Sequence, residues 1–405
     1  GSIYTHDVSG TDNSAEYNTA YGVNALDAIT DGDKHVAIGY NAGTAVTTAV
    51  GNVLIGEAAG AALTTGGSNT LIGRLAGDAF DTEANNIAIG VASLGGSVNG
   101  GEYNVAVGNY TLDALTSGDD NVAIGYDAGT AVTSGYNNVL IGKSAGSAIT
   151  TGARNVFIGY LAGDGHDAET YNVGVGEHAL TSGDYNTVAG HNSGTAVTTG
   201  GNNTCMGRDS GAAIVGGSLN TCIGHDAGGA ITSGSNNICI GPDAGHSGSP
   251  GGAIGTGSNN LILGDENISA SNVQTDWTVA SDQRDKTDFT ALDIGLDFVN
   301  DLKPYTYKWD KRIKYVSDAD RKSIDLDTIT HDGTHKEDWL DIGFKAQEVE
   351  VLEKAAGYKI ADKTNLTTSL TGDGKQYGIK YSNFVPILVK AVQELSAKVK
   401  ALEDA

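Results

Sequence analysis

The sequence predicts a mainly β protein, in which a repetitive β-roll or β-helix shaft forms a homotrimer and precedes a smaller α+β domain that ends in a coiled-coil helix. Three observations support this fold class. Fifteen glycines recur from Gly22 to Gly264, and eleven of the fourteen intervals are 17 residues. Negative charge is concentrated before residue 270, and an apolar heptad pattern closes the chain. Such regular repeats are typical of stacked rungs that bury their apolar faces only against neighbours.

The chain divides into four predicted segments. We expect a lead-in over residues 1–14, a shaft of 17-residue repeats over 15–265, a linker over 266–280 and a second domain over 281–405, with the coiled coil at about 382–405. Residues 1–270 carry 25 acidic and 5 basic residues, whereas 271–405 carry 24 and 19. This difference in charge places a domain boundary near residue 270.

Each rung is predicted to contain one short strand that ends at its marker glycine. In the unit from Asn121 to Gly129, a five-residue strand signal is followed by a glycine corner. The branched residues Val122 and Ile124 share one face of the strand, and such residues predict the rung interior. Ala123 points the other way, and other rungs have Ala, Leu, Phe or Cys there. We therefore expect this second apolar face to pack against a neighbouring chain in a trimer.

Asparagine lies four residues before the marker glycine in every rung except one, which has His35. Asparagine tolerates left-handed corners and bonds to neighbouring backbone. The repeat over about residues 15–265 resembles the heads of trimeric autotransporter adhesins and the repeat shafts of bacteriophage tail fibres, in which an Asn-x-Val-Ala-Ile-Gly unit marks each turn. This resemblance implies a trimer.

Several function classes are disfavoured. The acidic shaft would repel nucleic acid, and no apolar run is long enough to predict membrane insertion.

Cys205, Cys222 and Cys239 share one strand position and are interpreted as small buried hydrophobes. Asp209, Asp226 and Asp243 form another column, which we interpret as corner residues, with a cation ladder as the alternative. We predict no metal site and no cofactor. Turn tyrosines, among them Tyr126 and Tyr160, favour packing, with sugar contact as the alternative.

Four motifs follow the shaft in order. They are Ser-Asp-x-Arg-x-Lys from Ser281, Leu-x-Pro-x-x-Tyr-x-Trp from Leu302, Gly-Phe-x-Ala-Gln-Glu-Val from Gly343 and Pro-x-Leu-Val-Lys-Ala-x-Gln-Glu from Pro386. With these motifs, residues 281–405 resemble the carboxy-terminal intramolecular chaperone of phage tailspikes, endosialidases and tail fibres, which is a self-cleaving domain.

The resemblance implies that Ser281 is a nucleophile, that Lys286 is its general base and that the bond between Ala280 and Ser281 is cut. Asp282 and Arg284 are the supporting residues. A hydroxyl is a weak nucleophile and needs a neighbour that takes its proton. A lysine does this only when burial or nearby positive charge lowers its pKa.

The chain closes with a predicted trimerisation helix. Its apolar seam consists of Leu388, Val392, Leu395, Val399 and Leu402. Ser382 or Asn383 is expected to cap the helix, with Pro386 in its first turn. A single helix with one apolar seam is marginal alone, so we expect three copies to associate and to set the register of the shaft.

Together these features predict a homotrimeric phage tail fibre that recognises the host. Its closing domain would direct trimer assembly and then cut itself off, without turnover of an external substrate. The expected partners are further copies of the chain, other phage tail proteins and a host cell-surface glycan or protein receptor. The expected location is the virion, after synthesis in the host cytoplasm. The alternatives are a tailspike that degrades polysaccharide and a bacterial trimeric adhesin.

Overall fold

The computed structural model describes residues 2–4, 14–97, 99–274, 278–316, 325–371 and 374–405. Most of the predicted lead-in therefore lies outside the described residues. The chain forms two compact units. The first comprises Gly1–Ala244 and Gly255–Leu263, and the second comprises Gly245–Ile254 and Gly264–Ala405.

The first unit is a β-solenoid whose strands form one parallel sheet of sixteen strands in chain order. This confirms the mainly β fold with a repeat shaft. The strands are β1 Ile3–Tyr4, β2 Thr19–Tyr21, β3 Val36–Ile38, β4 Val53–Ile55, β5 Thr70–Ile72, β6 Ile87–Ile89, β7 Val105–Val107, β8 Val122–Ile124, β9 Val139–Ile141, β10 Val156–Ile158, β11 Val173–Val175, β12 Thr187–Ala189, β13 Thr204–Met206, β14 Thr221–Ile223, β15 Ile238–Ile240 and β16 Leu261–Leu263. From β2 onward each strand has three residues, fewer than the five expected, because corners flank it on both sides.

The two faces of each strand are the reverse of the prediction. The middle residue of each strand, such as Ala123 in β8 or Leu140 in β9, is fully buried, whereas Val122 is half-buried and Ile124 is 38 % exposed. Inside the solenoid, the middle residues meet two further buried columns. These begin with Ala25 and Ile29 and repeat in most later rungs. Branched residues favour strands whichever face they occupy, so their presence was a poor guide to the interior.

The asparagines form a buried ladder along the solenoid. The Asn121 side chain accepts a hydrogen bond from the Asn138 backbone N–H at 3.1 Å, and the Asn138 side chain accepts one from the Asn155 N–H at 3.0 Å. From Asn18 to Asn237, each amide group also donates to a backbone carbonyl, as Asn138 does to Gly152 at 2.9 Å. His35 takes an asparagine position, and its Nδ1 accepts from the Asn52 N–H at 3.1 Å.

The asparagines of the ladder are not the left-handed corner residues that we expected. Positive φ angles occur one residue earlier, as at Asn137 with φ 57°, and two residues after the marker glycine, as at Asp209 with φ 57°. The marker glycine itself leaves no room for a side chain. At Gly125, φ is +136° and an added Cβ would lie 2.5 Å from the Gly142 carbonyl oxygen.

One short rung interrupts the period, because only 14 residues separate Gly176 from Gly190. The strand just before this short interval, β11, has Gly174 at the inward position, where an added Cβ would lie 2.9 Å from the Phe157 ring. The buried His166 packs against that ring, with 4.6 Å between the ring centroids. The large Phe157 ring therefore fits inside the solenoid because the next strand has a glycine, Gly174, at the position beside it.

The second unit is α+β. Its helices are α1 Leu296–Asp301, α2 Ala346–Ala355 and α3 Phe384–Glu403, and its strands are β17 Tyr305–Tyr307, β18 Asp341–Gly343, β19 Thr368–Leu370 and β20 Tyr377–Ile379. Short 3-10 helices lie at Gln283–Asp285, Arg312–Tyr315, Leu326–Thr328 and Tyr381–Asn383. β17 pairs with β18 and β19 with β20, both antiparallel. The core contains Ile294, Phe298, Val349, Phe384 and Ile387. No helix within the described ranges has the length and apolar character needed to cross a bilayer.

Candidate self-cleavage site

The residues predicted to cleave the chain lie in an exposed segment of the second unit. Ala280, Ser281 and Lys286 are all exposed. The 3-10 helix over Gln283–Asp285 begins after Asp282, whose carboxylate accepts a hydrogen bond from the Arg284 N–H at 2.9 Å. This tight turn reverses the chain between Ser281 and Lys286.

The turn brings the two predicted catalytic side chains together. Lys286 Nζ donates a hydrogen bond to Ser281 Oγ at 2.5 Å. Direct hydrogen-bond contact of this kind is what a lysine that has lost its proton needs in order to accept the hydroxyl proton. The nucleophile and its base are therefore in direct contact, although they are five residues apart in the chain.

Arg284 does not contact this pair and is instead held by Asp282. Its guanidinium donates to the Asp282 carboxylate at 2.6 Å. This side-chain hydrogen bond, together with the backbone one, holds the pKa of Asp282 below its ordinary value. Both supporting residues thus shape the turn, and the carboxylate offsets the positive charge that Arg284 would otherwise bring to Lys286.

The other motifs meet in the body of the second unit. The Tyr305 hydroxyl donates to Glu348 at 2.9 Å, and the Trp309 indole N–H donates to Asp341 at 3.2 Å. The Leu296 N–H donates to Glu394 at 2.8 Å, which ties the start of α1 to α3. The motif residues therefore hold the elements of the second unit together.

One functional group had no signal in the sequence. The buried Glu353 carboxylate accepts hydrogen bonds from the backbone and hydroxyl groups of Thr367 and Thr368. Burial works to raise its pKa, but these hydrogen bonds outweigh it and hold the pKa below its ordinary value. A lone glutamate in a helix and two threonines after it carry no pattern, so only the tertiary structure reveals the pair.

The predicted trimerisation seam lies open along α3. Leu388, Val392, Leu395, Val399 and Leu402 are exposed, from 45 % at Val399 to 79 % at Leu402. The opposite side of the helix, with Phe384, Ile387 and Ala391, is buried in the unit. The predicted helix cap is wrong, since no side chain caps α3 and the Asn383 amide donates to the Leu366 carbonyl instead.

Other candidate groups lie apart from this site. The thiols of Cys205, Cys222 and Cys239 are free and buried in adjacent strands. Lys143 lies between the rings of Tyr126 and Tyr160, 6.0 and 5.7 Å from their centroids, so these tyrosines pack along the solenoid. In the part of the chain that the structure describes, no three His, Cys, Asp or Glu side chains are grouped to hold a metal ion.

Comparison with known proteins adds one match. Residues 281–358 match the family model described as the chaperone of endosialidase. No curated protein and no solved structure matches the chain. The match and the β-solenoid together fit a tail fibre or tailspike that carries such a chaperone. Residues 281–358 of this chain are thus similar to the chaperone of endosialidase, and the matched segment begins at Ser281.

Proposed function

We propose that this chain is part of a homotrimeric phage tail fibre whose closing domain directs trimer assembly and then cleaves the bond between Ala280 and Ser281. The family match, with the Lys286 amine in contact with the Ser281 hydroxyl at its first residue, is the observation that carries the proposal. The fibre would lie in the virion, contact other tail proteins and bind a glycan or protein receptor on the host surface.

The cleavage step follows from the contact. Lys286, once neutral, takes the proton of the Ser281 hydroxyl as Oγ attacks the carbonyl carbon of Ala280. The same lysine then returns that proton to the backbone nitrogen of Ser281 as the peptide bond breaks. Water hydrolyses the resulting ester, which leaves a carboxylate on Ala280 and a free amine on Ser281.

Assembly is expected to activate this site. In one chain Ser281 and Lys286 are both exposed to water. Burial against further chains would favour the neutral amine that the proton transfer needs. Cleavage would then follow trimer formation.

Two apolar surfaces support the trimer. One is the seam of α3, and the other is the outward face of the solenoid sheet. On that face the first and third residues of each strand form two columns that include Ile87, Ile124 and Ile240, each between 37 and 41 % exposed. Contiguous exposed apolar surface of this kind marks an interface. Its orientation differs from the sequence-based expectation, but it supports the same proposed association between chains.

Mass spectrometry of the freshly expressed full chain tests the cleavage. We expect two products that meet between Ala280 and Ser281. Ser281→Ala and Lys286→Met should each leave the chain intact, because each removes one partner of the proton transfer. Thr287→Ala and Lys303→Met are matched controls, since both remove the same groups at exposed positions nearby and should still cleave. An uncut wild-type chain in the assembled state would reject the proposal.

A further inference from the structure

The last interval of the repeat contains an insertion. Gly241 and Gly264 are 23 residues apart, compared with 17 in most rungs. Within this interval, Gly245–Ile254 groups with the second unit, although the residues on both sides of it belong to the first. We call Gly245–Ile254 the handle loop.

The handle loop is ordered and covered. The Ser249 hydroxyl donates to the His246 carbonyl at 2.8 Å and accepts from the Gly245 N–H at 3.1 Å. His246 and Ser249 are 2 % and 1 % exposed, and Ile254 is also buried. Polar residues of a surface loop are seldom this inaccessible. Other residues of the chain therefore lie over the loop.

The 3-10 helix over Arg312–Tyr315 provides part of this cover. Ile313 is 2 % exposed and packs against Gly248. Gly248 has φ +96°, and an added Cβ would lie 2.4 Å from Ile313 Cγ1. Glycine thus lets the isoleucine side chain rest directly on the backbone of the handle loop.

A second contact lies close by. Lys311 Nζ donates a hydrogen bond to the Glu266 carbonyl, and Glu266 is buried. Around these contacts is a cavity of about 780 Å³, lined by Pro250 and Ile268 on one side and by Trp309 and Tyr377 on the other. The handle loop and the segment Lys311–Ile313 therefore make separate contacts on either side of a cavity, without a continuous packed core between them.

The contacts of Gly248 with Ile313 and of Glu266 with Lys311 join residues on opposite sides of the predicted cleavage point. Gly248 and Glu266 would remain in the product 1–280, whereas Lys311 and Ile313 would remain in the product 281–405. We propose that the two products stay bound to each other after cleavage, because the handle loop and Glu266 hold the segment Lys311–Ile313. This inference rests on the proposed function for the origin of the cut, but the contact exists whether or not the chain cuts itself.

An engineered cut tests retention separately from self-cleavage. The full chain with Ser281→Ala receives a recognition sequence for a specific protease between Ala280 and residue 281. After complete digestion, we expect both pieces to elute together in size-exclusion chromatography at micromolar concentration. Gly248→Ala and Ile313→Asp should each make the pieces elute apart, and circular dichroism before digestion checks that each variant is folded.

Gly255→Ala is the matched control. Gly255 also has a positive φ, of +54°, but an added Cβ there meets nothing within 4 Å. Its pieces should therefore stay together. Should Ile313→Asp fail to fold, Ile313→Ala replaces it with a smaller loss of contact.

If the two pieces of the parent, which has the natural Gly248 and Ile313, separate after digestion, the inference is overturned. Pieces that stay together as firmly in Gly248→Ala and Ile313→Asp as in the parent would also overturn it, because other contacts would then be responsible. If the engineered pieces are retained but the natural chain never cuts itself, the retention contact is supported and the proposed self-cleavage fails.

Discussion

At the scale of single residues, His166 occupies a core column that aliphatic side chains fill in most rungs. Leu63, Leu115 and Ile149 are its counterparts, and all are fully buried. Burial lowers the pKa of His166 from 6.5 to about 4, although the nearby Glu169 and Asp184 carboxylates act in the opposite direction. His166 is therefore neutral in the folded shaft at neutral pH.

This predicts acid sensitivity of the shaft. Between pH 6.5 and about 4 the unfolded chain binds a proton at His166 that the folded chain does not, so stability falls as the pH falls through this window. The loss approaches about 3 kcal/mol at the acid end. In His166→Leu the urea midpoint should depend less on pH over this range. The exposed His191→Leu is the control and should keep the wild-type dependence.

A wild-type slope that persists in His166→Leu would assign the acid sensitivity to other groups. His35 is the first of these, since burial also lowers its pKa. The double variant with His35→Asn, which restores the asparagine of the other rungs, separates the two histidines.

At the scale of elements, the asparagine ladder connects successive rungs through their interior. From Asn18 to Asn237 each ladder asparagine is buried, and its oxygen accepts from the next ladder residue while its amide nitrogen donates to a backbone carbonyl. Buried polar groups are costly unless they are paired, so every ladder residue satisfies groups that would otherwise oppose folding. The ladder thus fixes the register of the parallel strands, which β pairing alone specifies less strictly.

Asn138→Ala should be strongly destabilising. It leaves the Asn155 N–H and the Gly152 carbonyl without their partners, and two unpaired buried groups cost about 2–6 kcal/mol. Urea unfolding of the full chain measures this change. The neighbouring Asn137→Gly is the control, because Asn137 is exposed with φ 57°, a conformation that glycine adopts readily. Equal midpoints for the two variants would contradict the role of the ladder.

Periodicity predicted the elements well but their faces poorly. The 17-residue spacing predicts one strand in each rung, and the structure has a strand before each marker glycine. The backbones of successive rungs approach closely at most of these glycines, where an added Cβ would clash with the carbonyl of the next marker glycine. The inward face was wrong because Val122 and Ile124 favour a strand on either side of it. The contact of Ser281 with Lys286 was implied by the family resemblance. The pairing of Glu353 with Thr367 could not be predicted, since it joins residues with no shared spacing.

At the scale of the whole molecule, each unit leaves apolar surface uncovered. The solenoid exposes the outer residues of its strands, and the second unit exposes the seam of α3. Single scattered apolar residues are common on protein surfaces, but rows that follow the repeat and the heptad are not. Both rows are expected to be covered by further copies of the chain.

Leu395→Asp should weaken the trimer, because it puts a charge into the middle of the seam, and burying an unpaired charge is costly. Multi-angle light scattering should then show a shift from three chains towards one. Ala397→Asp is the control, because it introduces the same charge at an exposed position on another side of α3. If Leu395→Asp has the wild-type mass at low concentration, the seam does not hold the trimer.

Successive rungs of the solenoid pair with each other in the same way, and this bears on how the repeat can evolve. Strands β2 to β16 join their neighbours in one parallel register, with middle residue beside middle residue. When a gene gains or loses one whole rung by unequal recombination, the strands on both sides can pair in the same register as before. Each such event adds or removes about 4.8 Å of solenoid length. The length of the solenoid can be adjusted in this way while the second unit remains unaltered.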